Sequence, residues 1–345
     1  MRPKRYIIPV FVPHLGCPHN CVFCNQRRIS GQVRPQTAQT VKEEIEKALP
    51  RIPDGAETEL AFYGGSFTAI SPSQQEELLG AVRPYIRENK IKSIRLSTRP
   101  DCIDRETVER LLSYNVKTVE LGVQSLDDEV LRLSERGHSQ ADAIRAVGII
   151  RQTNLKLILQ MMTGLPGDTA DKAVATAEKI LELKPDGVRI YPTVIVKDTP
   201  LYDMYLEGRY KENTVEDAVE ICSVIVPMFR KAGIPVIRLG LNPTEELSGG
   251  AAAGGAYHPA LGQLVESRIY LKKAEEIIKE TFGGTIPDKL IFEVGRGQTS
   301  TFVGQKRRNV LELRDKYGIR EIKVLENMDE SGRSQYLRLK KYNDE

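Results

Sequence analysis

Tryptophan is absent from this 345-residue chain, aromatic residues make up only 6%, and cysteine occurs five times. An odd cysteine count with three thiols inside residues 17–24 is not typical of a disulfide framework. It indicates a reducing compartment and a metal or cluster site. The chain also lacks any run of about 18 apolar residues, so we expect no membrane-spanning helix. Apolar residues still make up 40%, which suffices for a buried core and excludes wholesale disorder.

Acidic residues are missing from positions 1–34, which carry six Lys or Arg. Residues 304–345 carry eleven basic and eight acidic residues, and the stretch between these ends has a net charge of −6. The overall charge of +3 therefore hides an acidic middle between basic ends. This distribution favours a polyanionic partner.

The N-terminal apolar stretch Tyr6–Val12 is too short for a secretory signal, and Pro9 and Pro13 interrupt it. A lipoprotein cleavage box needs Leu three residues before Cys17, where this chain has His14. We therefore predict that this stretch is a first strand and that the protein is cytoplasmic.

Short apolar runs alternate with amphipathic stretches as far as about residue 240. The predicted strands are Tyr6–Val12, Glu59–Tyr63, Ser93–Ser97, Thr118–Gly122, Lys156–Gln160, Gly187–Tyr191 and Pro235–Leu239. Predicted helices between them include Ala38–Ala48, Ser73–Arg87, Ala141–Thr153, Ala170–Leu183 and Val215–Lys231. Such alternation is typical of βα units and a parallel sheet. Six or seven units fit a partial or full (β/α) barrel, and an open doubly wound sheet is the competing topology. We predict an α/β fold with a partial (β/α)6-type barrel.

The domain boundaries predicted from the sequence are 1–240 for the barrel core, 241–259 for a Gly/Ala-rich loop and 260–345 for a small α+β extension. The Gly/Ala-rich loop fits a flexible linker or a mobile flap over a site. In the extension we predict helices Ala260–Lys279 and Gln305–Tyr317 and strands Lys289–Val294, Ile322–Leu325 and Gln335–Leu339.

The most informative motif is a C-x₃-C-x₂-C run just after the first predicted strand, formed by Cys17, Cys21 and Cys24. Thiolates are soft ligands that suit zinc or an iron–sulfur cluster. A structural zinc site takes four protein ligands, and the nearest candidates for the fourth are His14 and His19. Cys102 and Cys222 are single and distant along the chain, and we expect both to be at least half-buried. A four-iron cluster on three cysteines would instead leave one iron free for another ligand.

This motif, with Phe23 before its last cysteine, resembles that of the radical S-adenosylmethionine (SAM) enzymes. The resemblance implies a [4Fe–4S] cluster on Cys17, Cys21 and Cys24, with SAM bound to the open iron and Phe23 near the adenine. It also implies reductive cleavage of SAM to a 5′-deoxyadenosyl radical, driven by an external electron donor of the flavodoxin or ferredoxin type.

Polar and glycine-rich segments follow the predicted strands, where a (β/α) barrel has its active-site loops. Gly64-Gly65-Ser66 resembles the family's Gly-Gly-Glu segment, whose backbone receives the SAM amino group, although Ser replaces Glu here. Residues 122–125 and 164–167 are similar to the branch shared by oxygen-independent coproporphyrinogen oxidase and the catalytic subunit of Elongator. By that resemblance Gln124 and Gln160 meet the ribose, Ser97 faces the methionyl or ribose part, and Arg136 faces the carboxylate. His138, at the predicted start of a helix, is expected to be solvated.

Three further segments, at residues 15–26, at 191–193 with 199–202, and at 256–260, narrow the resemblance to the radical domain of the Elongator subunit and its bacterial relatives. That resemblance implies modification of tRNA uridine. About 75 residues follow position 270, too few for the acetyltransferase domain of that subunit, and no Gln/Arg-x-x-Gly-x-Gly acetyl-coenzyme A loop is present. We therefore expect no acetyl donor bound by this chain.

Three functions remain open from the sequence: a radical enzyme acting on tRNA, a radical enzyme acting on a small molecule or peptide, and a zinc-dependent RNA-binding module without catalysis. For the first, we predict that the basic ends bind RNA phosphates on one rim of the barrel mouth. The residues involved are Arg2, Lys4, Arg5, Arg27, Arg28, Lys306, Arg307 and Arg308.

Overall fold

The computed structural model describes residues 5–12, 17, 19–25, 36–244, 247–327 and 336–340. These residues divide into two compact units. The first unit comprises residues 1–214 and 228–257, and the second comprises residues 215–227 and 258–345.

The first unit is built on a seven-stranded sheet in which every neighbouring pair of strands is parallel. Most of its strands are apolar and buried, as expected for a parallel sheet covered by helices. Its strands are β1 (Arg5–Val12), β2 (Glu57–Gly64), β3 (Ser93–Thr98), β4 (Val116–Gln124), β5 (Lys156–Thr163), β6 (Gly187–Pro192) and β8 (Val236–Leu239).

The strand order β1-β2-β3-β4-β5-β6-β8 follows the order of the chain. In a doubly wound sheet the order of the strands reverses at a switch point. The sequential strand order found here excludes that topology. The sheet curls into a half-barrel with helices outside it. The predicted partial barrel is therefore confirmed, with β8 as a seventh strand.

Helices connect the strands, and most begin at a residue that caps them. Thr37, Ser71 and Ser139 each form a capping box with the residue three positions later, which satisfies backbone N–H groups that the first helical turn leaves free. The helices of the first unit are Ala38–Ala48, Pro72–Arg87, Arg105–Ser113, Asp128–Leu133, Gln140–Arg151, Ala170–Glu182 and Pro200–Leu206. The helix Val215–Lys231 belongs to the second unit as far as Pro227 and to the first unit from Met228. Short 3₁₀ turns are Leu49–Arg51, Phe67–Ala69 and Pro100–Cys102.

The second unit is a small α+β structure, as the sequence predicts. Strands β10 (Lys289–Gly295) and β11 (Glu321–Asn327) are parallel, and β12 (Leu337–Lys340) pairs with β10 in the antiparallel sense. Its helices are Leu261–Phe282, Thr299–Val303 and Arg308–Tyr317, with a 3₁₀ turn at Gln305–Arg307. The core of this unit includes the buried aromatic residues Tyr270, Phe292 and Phe302.

The Gly/Ala-rich segment has regular structure. A π-helical turn at Leu247–Ala251 leads into β9 (Ala252–Gly255), which pairs in the antiparallel sense with β7 (Val194–Val196). Gly255 has φ +78°, and a Cβ atom there would lie 2.6 Å from the Thr193 carbonyl oxygen. Only glycine fits this close backbone approach.

No helix among the described residues has both the length and the apolar character needed to cross a membrane.

Three glycines of this segment give a graded test of the pairing between β7 and β9. Gly249→Ala should change stability little, because the position is open and its φ is not positive. Gly250 has φ +102° with nothing nearby, so its Ala variant should lose about 1–2 kcal/mol. Gly255→Ala combines positive φ with the backbone clash and should lose about 2–4 kcal/mol. Urea unfolding followed by circular dichroism measures the order, and equal stability of all three variants would contradict the structure.

Candidate active site

One cavity of about 370 Å³ lies within the first unit, among the carboxyl ends of its strands and the cysteine loop. It brings together every site residue selected from the sequence. These are Cys17, Cys21, Phe23, Cys24, Gly64, Gly65, Ser66, Ser97, Gln124, Arg136 and Gln160. Their individual roles stay predictions, but their convergence follows from the common direction of the parallel strands.

The cysteine loop is fixed by backbone hydrogen bonds at Val22, which is 2% exposed. The Val22 N–H donates to the Ser134 carbonyl at 3.1 Å, and the Val22 carbonyl accepts from the Leu201 N–H at 2.8 Å. The Cys24 N–H donates to the Cys21 carbonyl at 3.0 Å and closes a turn between these two cysteines. Two segments distant in sequence therefore hold the loop.

Phe23 is half-buried and packs with Val22 against a small apolar cluster that contains Ile195, Leu201 and Tyr210. The Asn25 side chain donates to the Asp198 carbonyl at 3.0 Å. The end of the loop is thus tied to the segment that follows β7.

The Gly-Gly-Ser segment begins at the end of β2. Gly64 has φ +105°, and a Cβ atom there would lie 2.7 Å from the Val12 carbonyl oxygen. That same oxygen accepts a hydrogen bond of 2.8 Å from the Gly65 N–H. Glycine at position 64 therefore lets the ends of β1 and β2 approach closely, which places the cysteine loop beside the Gly-Gly-Ser backbone.

Ser66 is 2% exposed and stands where the resembling family has Glu. Its hydroxyl lies 3.0 Å from Thr98 Oγ1 and accepts from the Arg99 N–H at 3.2 Å. The Ser66 side chain thus joins the end of β2 to the end of β3. Only its backbone remains in a position matching the family's role.

Gln124 ends β4 with φ +62°, an unusual conformation for a residue other than glycine. Its side-chain carbonyl accepts from Gln160 Nε2 at 3.2 Å, so the two predicted ribose ligands contact each other. A Cβ atom at Gly122 would lie 2.9 Å from Gln124 Nε2, which explains the glycine there. Left-handed strain of this kind is typical of ligand sites.

Arg136 is 7% exposed and reaches the cysteine loop directly. Its Nη1 lies 3.4 Å from Cys21 Sγ, and its Nη2 donates to the Gly122 carbonyl at 2.9 Å. Its Nε is buried without a hydrogen-bond partner among the described residues. A cation in this position stabilises negative charge on the cysteine sulfur.

Arg99, which the sequence analysis did not select, is the largest fully buried side chain among the described residues. Asp101 accepts from its Nε at 2.9 Å and from its Nη2 at 3.1 Å, and the Arg136 carbonyl accepts from Nη2 at 2.5 Å. Its Nη1 is buried and has no partner in the part of the chain that the structure describes. An unpaired buried guanidinium nitrogen is costly, so the cavity fits an additional anionic or acceptor group.

Thiol acidity at the site reflects both burial and these cations. Burial raises the pKa of the Cys17 thiol, while the Ser66 N–H and the guanidinium groups of Arg136 and Arg99 act in the opposite direction. Thiols bind metals as thiolates, so occupation of the site releases protons.

The donor set also bears on the choice between zinc and a cluster. No three His, Cys, Asp or Glu side chains of the described residues are grouped closely enough to hold one metal ion. The sulfurs of a cluster bind different iron atoms and need not meet at a point. Three thiols beside two buried guanidinium groups therefore fit an iron–sulfur cluster. His19, one candidate fourth zinc ligand, is exposed, and His14 lies outside the described residues.

Cys102 is distant from the motif in sequence but close to it in space. Its thiol is half-buried and contacts the Ser66 side chain, and the Cys17 thiol is close enough to raise the pKa of Cys102 further. Burial raises the pKa of Cys102 to about 11, so this thiol stays protonated at neutral pH. The second isolated cysteine, Cys222, is buried.

The expectation that His138 is solvated was wrong. Its side chain is 7% exposed, and its Nε2 lies 3.2 Å from the Val123 carbonyl oxygen. Burial, together with the Arg136 charge, lowers the pKa of His138 to about 3, so the ring is neutral. The reason is the sharp turn at residues 135–137, which carries positive φ at Glu135 and Gly137 and directs the ring inward.

The wall formed by β2, β3, β4 and β6 carries a second group of polar residues that the sequence analysis missed. Glu120 bonds Arg189 at 2.7 Å and Arg95 at 2.7 Å, and Arg95 in turn bonds Glu59 at 2.7 Å. Tyr63 OH accepts from Arg189 Nη2 at 3.3 Å. The sequence signal for these residues was their spacing. Side chains two or four residues apart on a strand lie on the same face of the sheet, as Glu59 and Tyr63 do on β2.

Comparison with known families gives two matches. A family model described as the radical SAM superfamily matches residues 11–180. A second model, described as the radical SAM C-terminal domain, matches residues 185–271.

Curated relatives include a tRNA uridine(34) acetyltransferase of Dehalococcoides mccartyi, 28% identical over 259 residues that cover 64% of this chain and 56% of the relative. An uncharacterized protein of Methanocaldococcus jannaschii is 29% identical over 61% of this chain and 67% of its own length. Elongator complex protein 3 of Homo sapiens is 29% identical over 46% of this chain and 30% of its own length. The chain thus spans between about a third and two thirds of these relatives.

Among solved structures, an N-terminally deleted Elp3 of the archaeon Methanocaldococcus infernus superposes with a TM-score of 0.62. It is 23% identical, and the match covers 80% of this chain and 64% of that one. At this identity the likeness establishes the fold.

The cysteine assignment has a direct test. Replacing Cys17, Cys21 or Cys24 with Ala should remove most of the iron and sulfide that the protein retains after anaerobic reconstitution, because each variant loses one thiolate ligand. Cys102→Ala is the sharpest control, since its thiol lies near Cys17 without belonging to the motif. Cys222→Ala is the distant control. Iron loss in Cys102→Ala equal to that in Cys17→Ala would contradict the three-ligand assignment.

Proposed function

The chain belongs to the radical SAM superfamily, and from this membership and its cavity we propose that it modifies tRNA at a uridine. Members of the superfamily are enzymes that use a [4Fe–4S] cluster and SAM, so the alternative of a non-catalytic zinc module is wrong. The single observation that carries the proposal is the convergence of the three motif cysteines and the predicted SAM ligands on one cavity.

The residues that would hold the cluster are Cys17, Cys21 and Cys24. When bound with SAM, the cluster supplies the electron that cleaves SAM reductively to the 5′-deoxyadenosyl radical. Val22 positions the loop through the backbone bonds to Ser134 and Leu201. The loop's two anchors keep the thiols in place.

SAM binding is assigned to the strand ends. The Gly64–Ser66 backbone receives the amino group, and Arg136 offers its free Nε to the carboxylate. Gln124 and Gln160 bind the ribose hydroxyls, and Phe23 packs near the adenine. The mutual hydrogen bond of the two glutamines fixes their orientation before SAM arrives.

Removing the Gln124 side chain tests the ribose assignment. Gln124→Ala should weaken SAM binding by about 1 kcal/mol, about fivefold, because one hydrogen bond is lost. Gln39→Ala, on an exposed helix face, is the matched control. Equilibrium titration of SAM into the reconstituted protein measures both, with iron content as the check that the cluster is intact. Unchanged affinity in Gln124→Ala would contradict the role.

The RNA part of the proposal is supported by relatives whose names describe tRNA uridine(34) modification and by an exposed basic turn. Lys306, Arg307 and Arg308 are consecutive, exposed and without an ion pair to any other described residue. Lys306 has φ 51° and Arg307 has φ 62°, two adjacent strained residues. Such a turn presents three cations together, as phosphate binding requires. A tRNA substrate also accords with a cytoplasmic location.

The remaining basic residues of the predicted footprint cannot be placed in the same way. Arg2, Lys4, Arg27 and Arg28 lie outside the described residues. Arg5 begins β1 and is exposed.

Neutralising the turn tests RNA binding. The triple change Lys306→Gln, Arg307→Gln and Arg308→Gln should weaken binding of all tRNA sequences by a similar factor. It should also reduce the slope of log K against log salt concentration by up to about three units. Each phosphate contact releases about one counterion on binding, and the variant would lose up to three such contacts. Filter binding at several salt concentrations measures the slope.

The control for that experiment removes the same charge from exposed positions of the first unit, with Lys47, Arg51 and Arg87 each changed to Gln. It should leave the slope unchanged. Wild-type protein that does not bind tRNA, or binds it independently of salt, would favour a small-molecule or peptide substrate. Equal effects of the two triple variants would show that net charge, and not the turn, governs binding.

A further inference from the structure

Two buried guanidinium groups lie beside the motif cysteines, but they are held differently. Arg136 contacts Cys21 Sγ and the Gly122 carbonyl. The Arg99 side chain instead donates to Asp101 and to the Arg136 carbonyl, yet it lines the same cavity and is 1% exposed. The function of Arg99 is not explained by SAM recognition as assigned above.

The surroundings of Arg99 fix its orientation completely. The Asp101 carboxylate accepts hydrogen bonds from Nε and Nη2, and the Arg136 carbonyl accepts a further one from Nη2. The backbone N–H of Arg99 donates to Ser66 Oγ. Only Nη1 is left, and it is buried without a partner among the described residues. A planar guanidinium held at two of its three nitrogens presents the third in a defined direction.

Charge reinforces the geometry. Arg99 lines the same cavity as Cys17 and Cys21, and its backbone carbonyl accepts from the Cys102 N–H at 3.3 Å. Among the described residues, the ionic groups beside Arg99 are Arg136 and Asp101, and His138 is neutral. These three charged side chains together carry a net charge of +1.

We propose that Arg99, oriented by Asp101, is an electrostatic positioning residue that donates from Nη1 toward the iron–sulfur group and raises its reduction potential. The inference rests on the proposed cluster ligands. Gain of an electron makes the cluster more negative, and a nearby buried cation with a free N–H stabilises that state. Arg99 acts on the cluster's electron affinity and takes no part in bond breaking.

The test measures the midpoint potential of the reconstituted, SAM-free protein by an electron paramagnetic resonance redox titration. Arg99→Gln should lower the potential, with the reduced-to-oxidised ratio at a fixed potential falling about tenfold, or about 59 mV for one electron. Asp101→Asn should raise it, because a negative charge is removed while Arg99 remains. The double variant removes both charges and should lie nearer the wild type than Arg99→Gln does.

Two further variants separate charge from structure. Arg99→Lys keeps the charge and should restore part of the shift. Arg110→Gln changes the same charge at an almost buried arginine held by Gln75 and Glu106, outside the cavity, and should leave the potential unchanged. Iron content and circular dichroism establish that each variant is folded and loaded.

An unchanged SAM-free potential in loaded Arg99→Gln would overturn the inference, and weaker SAM binding in that variant would assign Nη1 to the SAM carboxylate instead. If neither Arg99 variant assembles a cluster, the Asp101→Asn variant decides. An unshifted reduction potential in that variant overturns the inference equally. Failure of the wild type to assemble a four-iron cluster would instead refute the proposed function.

Discussion

The site depends on one constraint, which is that every strand of the first sheet runs in the same direction. Six parallel pairings bring the ends of β1, β2, β3, β4, β5 and β6 to one edge. The cysteine loop, Ser66, Arg99 and Gln124 follow or end four different strands, and Gln160 lies three residues before the end of β5, so all of them meet at this edge. A reversal of one strand would move its polar residue to the opposite edge, far from the thiols.

The second requirement is close backbone approach. Gly64 allows β2 to end against the Val12 carbonyl, and Gly122 leaves room for the Gln124 and Arg136 side chains. A larger side chain at either position would collide with these neighbours. Glycine therefore lets the backbone at one strand end lie against the groups of the next.

Much of this could be predicted from the sequence. The strands were located from β-branched runs between turn residues, although β4 and β5 extend two to three residues beyond the predicted bounds. The helix Ala38–Ala48 has the predicted bounds, and the structure shows that Thr37 caps it. Arg99 and His138 were missed because burial of a charged or polar residue depends on partners from other strands, such as Asp101 and the Val123 carbonyl. The proximity of Cys102 to Cys17 was missed for the same reason, since a local pattern carries no distance across the sheet. The left-handed conformations of Lys306 and Arg307 have no signal in residue type, because neither residue favours them.

The cavity has two electrically different sides, and this difference constrains what it can bind. On the cysteine side, the charged side chains of the described residues are Arg99, Arg136 and Asp101, and their net positive charge would stabilise an anionic group there. On the facing wall, Glu59 and Glu120 balance Arg95 and Arg189, and burial raises the pKa of Tyr63 to about 12, so its hydroxyl stays neutral. A wall with paired charges has little attraction for a free anion, whereas its phenol and guanidinium groups still offer hydrogen bonds. The part of a substrate that enters this side is therefore expected to be uncharged and polar, with any phosphate groups remaining outside the cavity.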